Sequence, residues 1–103
     1  MAITSERIDI LVVYDVETRT PKGRRRLRRI CQLCKDYGQR VQFSVFECSV
    51  SRAQLETFEA MAIERIDESK DSLRIYVLQG GRDGSVRSYG VDRYTNYEGP
   101  LVL

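Results

Sequence analysis

The stretch from Ile8 to Tyr14 is apolar at every position but Asp9 and rich in β-branched side chains. Such a run reads as a central strand buried on both faces. A strand of that kind needs neighbours at its edges and layers packed on it, so the rest of the chain must supply both. The strand ends at Asp15, and Thr20-Pro21 then provides an N-cap followed by proline at the first helical position. From there Leu27, Ile30, Cys34 and Tyr37 recur at spacings of three and four, an apolar helical stripe, until Gly38 closes the helix.

Residues 41–48 alternate, with Val41, Phe43 and Val45 on one side and Gln42, Ser44 and Phe46 on the other, which predicts either one strand or two short ones. Ser51-Arg52-Ala53-Gln54 is a capping box, and Val50 with Leu55 has the spacing of a hydrophobic staple. A second helix therefore starts here, with Leu55, Phe58, Ala62 and Ile66 as its core stripe. Another strand follows at Leu73 to Leu78. The glycine-rich Gly80 to Gly84 then predicts a turn joining it to Ser85–Tyr89 as a hairpin. The terminal Leu101-Val102-Leu103 is apolar and is expected to pair as a strand, with residues 90–103 either a C-terminal tail or a strand exchanged with a dimer mate. Strands with two interspersed helices in 103 residues predict one α+β domain, a ferredoxin-like βαββαβ sandwich with an extra C-terminal strand.

Composition narrows the chemistry. There is no histidine, so hydrolysis would have to run on a metal, carboxylates or other side chains. Three cysteines without a second pair beside Cys31 and Cys34 argue for core thiols rather than zinc. No apolar run approaches the roughly 18 residues of a membrane span, and the N-terminus lacks signal-peptide order, so a cytoplasmic location and no membrane partner are expected.

The net charge of +2 hides an asymmetry. Residues 19–40 hold nine Lys or Arg against Asp36 alone, a local charge of +8, whereas residues 51–71 hold three against six acids, or −3. One face is therefore suited to polyanions. Arg19, Arg24, Arg25, Arg28 and Arg40 are the candidates for phosphate contacts, because guanidinium forks match phosphate oxygens without reading sequence. Duplex DNA and single-stranded RNA are equally suitable partners for such a surface.

Val12-Val13-Tyr14-Asp15-Val16 and Tyr37-Gly38-Gln39-Arg40-Val41-Gln42-Phe43-Ser44-Val45-Phe46-Glu47-Cys48 carry a further signal, together with Gly23 to Leu27 and Asp71 to Tyr76. In this order and spacing, from about Ile8 to Leu78, they resemble the CRISPR-associated Cas two family, the smaller of the two CRISPR adaptation proteins. The tail matches more loosely. The resemblance implies a ferredoxin-like homodimer, partnership with the Cas one integrase in spacer acquisition, and a magnesium (Mg2+)-dependent endonuclease. It also implies that Asp15, ending the first strand, is the catalytic and metal-binding residue, facing its mate from a second subunit.

Two readings of Asp15 stand side by side. A carboxylate on a rigid strand end, doubled across a twofold, attracts a hard cation that keeps several waters, whereas an aspartate after a strand also serves simply to cap a turn. Only Glu17 adds an acid in the residues that follow, which puts a second local ligand in doubt. Tyr14 either orients substrate or sits in the core with its hydroxyl satisfied. Phe46 either lines a dimer interface or stacks a base, and Ser44 either bonds phosphate or satisfies nearby backbone. The functional alternatives are a metal-dependent nuclease, a non-catalytic DNA-binding scaffold of the integration complex, and, on fold analogy alone, a plain binding module.

Overall fold

The computed structural model describes residues 6–95. β1 (Ile8–Asp15) is followed by α1 (Pro21–Tyr37), β2 (Gly38–Gln42), β3 (Val45–Val50), α2 (Arg52–Arg65), β4 (Ser72–Val77) and the short α3 (Gly81–Ser85). The four strands form one antiparallel sheet in the order β2-β3-β1-β4, so each long helix carries the chain past an intervening strand. This is the ferredoxin-like βαββαβ arrangement expected from the sequence. The proposed exchange of residues 90–103 falls mostly outside the described residues, and residues 90–95 form no strand.

Both helices start where their side chains dictate. Thr20 accepts a hydrogen bond from the Gly23 amide (3.0 Å) to open α1. Ser51 accepts from the Gln54 amide while its own amide donates to the Gln54 side chain, the reciprocal box that opens α2. Ile30, Leu33 and Cys34 from α1 and Leu55, Phe58 and Ala62 from α2 bury themselves on Ile10, Val12, Phe46, Cys48 and Val50 of the sheet. Cys34 and Cys48 are core thiols whose burial pushes their pKa up to about 12, and Cys31 is half-buried.

Several expectations need correction. β1 is not buried on both faces: the two long helices cover only the side of Ile10, Val12 and Tyr14, leaving Leu11 and Val13 half-exposed and Asp15 exposed on the other. An antiparallel sheet commonly packs one face on the core and leaves much of the other to solvent. Of the two alternatives for residues 41–48, the pair of short strands is the one that forms, because Phe43 and Ser44 make a tight turn between β2 and β3, with Gln42 opposite Val45. Tyr14 fixes that turn, its amide donating to the Ser44 carbonyl and its hydroxyl to the Phe43 carbonyl, each at 3.1 Å.

No hairpin forms at Ser85–Tyr89 either. The glycines at 80 and 81 take positive φ and lead into α3, where the Arg82 amide donates to Asp9 (2.7 Å) on the uncovered sheet face. The Arg82 guanidinium spans Glu47 and Asp92 and lies 3.9 Å from the Tyr94 ring. These long-range ties outweigh the local turn propensity of Gly80 to Gly84.

Gly38 ends α1 as expected, in extended backbone and for want of space. A Cβ there would meet the Cys48 sulfur at 2.3 Å and the Glu47 carbonyl at 2.5 Å. Gly38→Ala is expected to push β2 off β3 at a cost of about 1–3 kcal/mol. Differential scanning calorimetry would register this as a melting temperature lowered by roughly 5–15 °C.

Candidate nucleic-acid and metal site

Asp15 closes β1 opposite Ser72 of β4, with buried Tyr14 and Val16 on either side fixing its backbone. Among the described residues its carboxylate takes neither a hydrogen bond nor an ion pair. Strand alternation puts it on the uncovered face, away from Tyr14. No group of three His, Cys, Asp or Glu side chains able to hold a metal occurs among the described residues. Magnesium keeps most of its waters and takes one or two protein carboxylates. Among the described residues Asp15 is the one unengaged carboxylate at this strand end, and its donor chemistry suits the ion once a second carboxylate is brought to it.

The loop after Asp15 is held from within. Glu17 accepts from the Arg19 amide and side chain, each at 2.8 Å, and the Arg24 guanidinium donates to the Thr18 carbonyl at 3.0 Å. The Glu17 amide donates to Asp71 (2.9 Å). Asp71, whose side chain is fully buried, also takes Arg26 at 2.7 and 3.2 Å and the Asp67 amide at 2.8 Å. One member of the arginine run is thus committed to holding the fold.

The others face outward in two groups. Arg24 and Arg28 are one helical turn apart, and Lys35 lies two turns beyond Arg28, so the three share a stripe, while Arg25 and Arg29 occupy the adjacent face. Arg19, Arg24 and Arg25 are exposed around the start of α1. Arg28 and Arg40, with Tyr14 and Ser44, line one groove of about 530 Å³ between α1 and the β2–β3 turn.

The Arg40 guanidinium lies 5.4 Å from the Phe46 ring centroid and donates to the Cys31 sulfur at 2.7 Å. Phe46 itself is completely buried, stacked with Tyr14, and reaches neither an interface nor a base. That corrects the expected placement: the two-residue turn leaves Phe46 on the helix-covered face. Tyr14 is likewise buried, its hydroxyl spent on the Phe43 carbonyl, and burial beside Cys31 raises its pKa well above the ordinary tyrosine value. The Ser44 carbonyl serves the Tyr14 amide. Lys35 and Phe43 also line the groove and escaped sequence reasoning, although Lys35 has helical spacing from Arg28. Asp71 was missed as well, its role being visible only once three segments converge.

The family model for CRISPR associated protein Cas2 matches residues 9–89. The chain is 50% identical over 94 residues to a CRISPR-associated endoribonuclease Cas2 from Moorella thermoacetica, covering 91% of this chain and 98% of that one. It is 43% identical over 94 residues to a CRISPR-associated endonuclease Cas2 from Halalkalibacterium halodurans, with the same shares covered. The crystal structure of Streptococcus pyogenes Cas2 superposes with a TM-score of 0.69 at 49% identity, covering 80% of this chain and 99% of that one. With the βαββαβ sheet and the matched sequence in agreement, the chain belongs to the Cas2 family of CRISPR-associated proteins.

Proposed function

We propose that the protein is a magnesium-dependent endonuclease of CRISPR adaptation, acting on single-stranded RNA or duplex DNA as a cytoplasmic homodimer. The observation that carries this is Asp15: a carboxylate held on a rigid strand end, exposed, and engaged by no other side chain or backbone group among the described residues. Around it the uncovered sheet face carries half-exposed Leu11, Val13 and Val45, with Tyr76 across from Leu11. A second copy packed there would bury that surface and bring two Asp15 carboxylates toward one axis. When bound, magnesium supplies charge neutralisation at a phosphodiester and a water of lowered pKa, the role that histidine would otherwise fill. The arginines at the start of α1 hold the phosphate backbone. Relatives named as endoribonucleases and endonucleases support this reading.

The second reading is a non-catalytic scaffold that holds duplex DNA for the Cas one integrase. It is favoured by the want of a three-ligand metal cluster among the described residues and by the basic face of α1. No described helix is long and apolar enough to cross a membrane.

Labelled single-stranded RNA and duplex DNA, incubated with the protein in magnesium and in EDTA, separate the two. The expected result is cutting in magnesium that stops in EDTA, with a solution mass twice the 11.9 kDa of the chain. Binding without cutting in either condition would establish the scaffold.

A further inference from the structure

The groove between α1 and the β2–β3 turn has a composition that a solvated basic face does not explain. Its lining includes Arg28, Lys35 and Arg40 and no carboxylate. None of these three cations pairs with an acid among the described residues, in contrast to Arg19, Arg26 and Arg82. Arg40 is held in place by the Phe46 ring beneath it and by the Cys31 sulfur, so its guanidinium is fixed at the rim without being neutralised. Between the cations the lining is mostly apolar, with Leu27 half-buried and Phe43 at the tip of the turn, and with Gln32 and Ser44 as its neutral polar members.

Phe43 is 86% exposed, the wrong place for a large aromatic ring in a chain short of core. Its backbone is nevertheless fixed, because the buried Tyr14 hydroxyl holds the Phe43 carbonyl and the Tyr14 amide holds that of Ser44. A ring projecting from a pinned turn is a platform. Cations track phosphates and an aromatic face stacks any base, the combination that single-stranded nucleic acid recognition uses. A duplex keeps its base faces stacked inside and offers nothing to such a ring along its length.

We propose that this groove binds one unpaired nucleotide, its base on Phe43 and its phosphates on Arg28, Lys35 and Arg40. The proposal rests on the nucleic-acid-binding reading above and adds to it a single-strand subsite. The groove volume of about 530 Å³ lies within the range of small-ligand sites. The turn meets β1 at Tyr14, so the subsite lies at the end of the sheet that carries Asp15. Stacking is indifferent to the sugar, so RNA and DNA single strands both qualify.

The test uses oligonucleotides containing 2-aminopurine, whose fluorescence falls on stacking, as single-stranded RNA, single-stranded DNA and a blunt DNA duplex. Wild type is expected to quench both single strands. Phe43→Leu is expected to abolish the quench and weaken single-strand binding about tenfold, with duplex binding and melting temperature unchanged. Lys35→Gln with Arg40→Gln is expected to weaken single-strand binding and flatten its salt dependence.

Unchanged single-strand affinity in Phe43→Leu would overturn the subsite while leaving the nucleic-acid reading intact. A loss of single-strand and duplex binding together, or an altered oligomeric state, would assign Phe43 to a protein contact and overturn it too. If wild type bound neither duplex nor single strand, the underlying reading would fall and the subsite with it.

Discussion

Asp15→Asn is expected to reduce magnesium-dependent cleavage by about 100-fold or more, while leaving melting temperature and nucleic-acid affinity unchanged. Asparagine keeps the shape of the side chain and removes the charge that a hard cation needs. The substitution is safe for the fold because the Asp15 carboxylate takes no hydrogen bond or ion pair among the described residues. It is exposed, and its backbone is fixed by Tyr14 and Val16 rather than by its own side chain. Folding and binding therefore serve as internal controls. Full activity in Asp15→Asn would remove Asp15 from the chemistry, and since its carboxylate accepts no hydrogen bond among the described residues the turn-capping role does not replace it. A subunit mixing experiment extends the test: if two carboxylates share one ion, adding an excess of Asp15→Asn protomers to wild type should suppress activity beyond simple dilution.

What the sequence made legible follows from how local each signal is. Thr20-Pro21 and the Ser51 to Gln54 box act within one helical turn, and both helices start where those residues predict. The apolar run at Ile8 was equally plain as a strand, but the number of faces covered depends on where two helices pack, and they pack on one side. The β2–β3 turn was illegible for a physical reason. Phe43-Ser44 has none of the Asn-Gly or Gly chemistry that marks a two-residue hairpin, and a tyrosine in another strand stabilises it. The Gly80 to Gly84 segment erred the other way. Its glycines signal a hairpin, but Asp9 and Glu47 reach it through Arg82, contacts separated by 73 and 35 positions in sequence.

The site divides along the same line. The basic run was visible as charge, whereas the distinction between Arg26, spent on Asp71, and Arg28, free at the groove, needed the tertiary structure.

Asp71→Asn is expected to cost on the order of 2–3 kcal/mol, lowering the melting temperature by roughly 10–20 °C, because it leaves a partly buried guanidinium without its counter-charge. Burial alone would push the Asp71 carboxyl up. The Arg26 guanidinium and the Asp67 and Glu17 amides more than reverse that and hold it at about 2. An aspartate in the unfolded chain titrates near ~3.9, so on acidification the unfolded state takes up its proton first. The stabilisation from Asp71 is therefore complete above about pH 5 and is lost as the pH falls through about 4 toward 2.

Melting temperature measured against pH for both proteins checks this. The wild-type curve should fall steeply across that window, the Asp71→Asn curve should be flatter there, and the two should converge near pH 2. Parallel curves would mean that Asp71 is not the group linking acid to unfolding. The same carboxylate also holds the Glu17 amide, two residues beyond Asp15. Asparagine keeps one oxygen where the Glu17 and Asp67 amides and Arg26 use two, which loosens the loop that fixes Arg19 and Arg24, so Asp71→Asn is also expected to weaken binding of duplex DNA at temperatures where the variant remains folded. Asp15→Asn should leave that binding intact, and the contrast between the two aspartates separates a carboxylate that builds the site from one that acts in it.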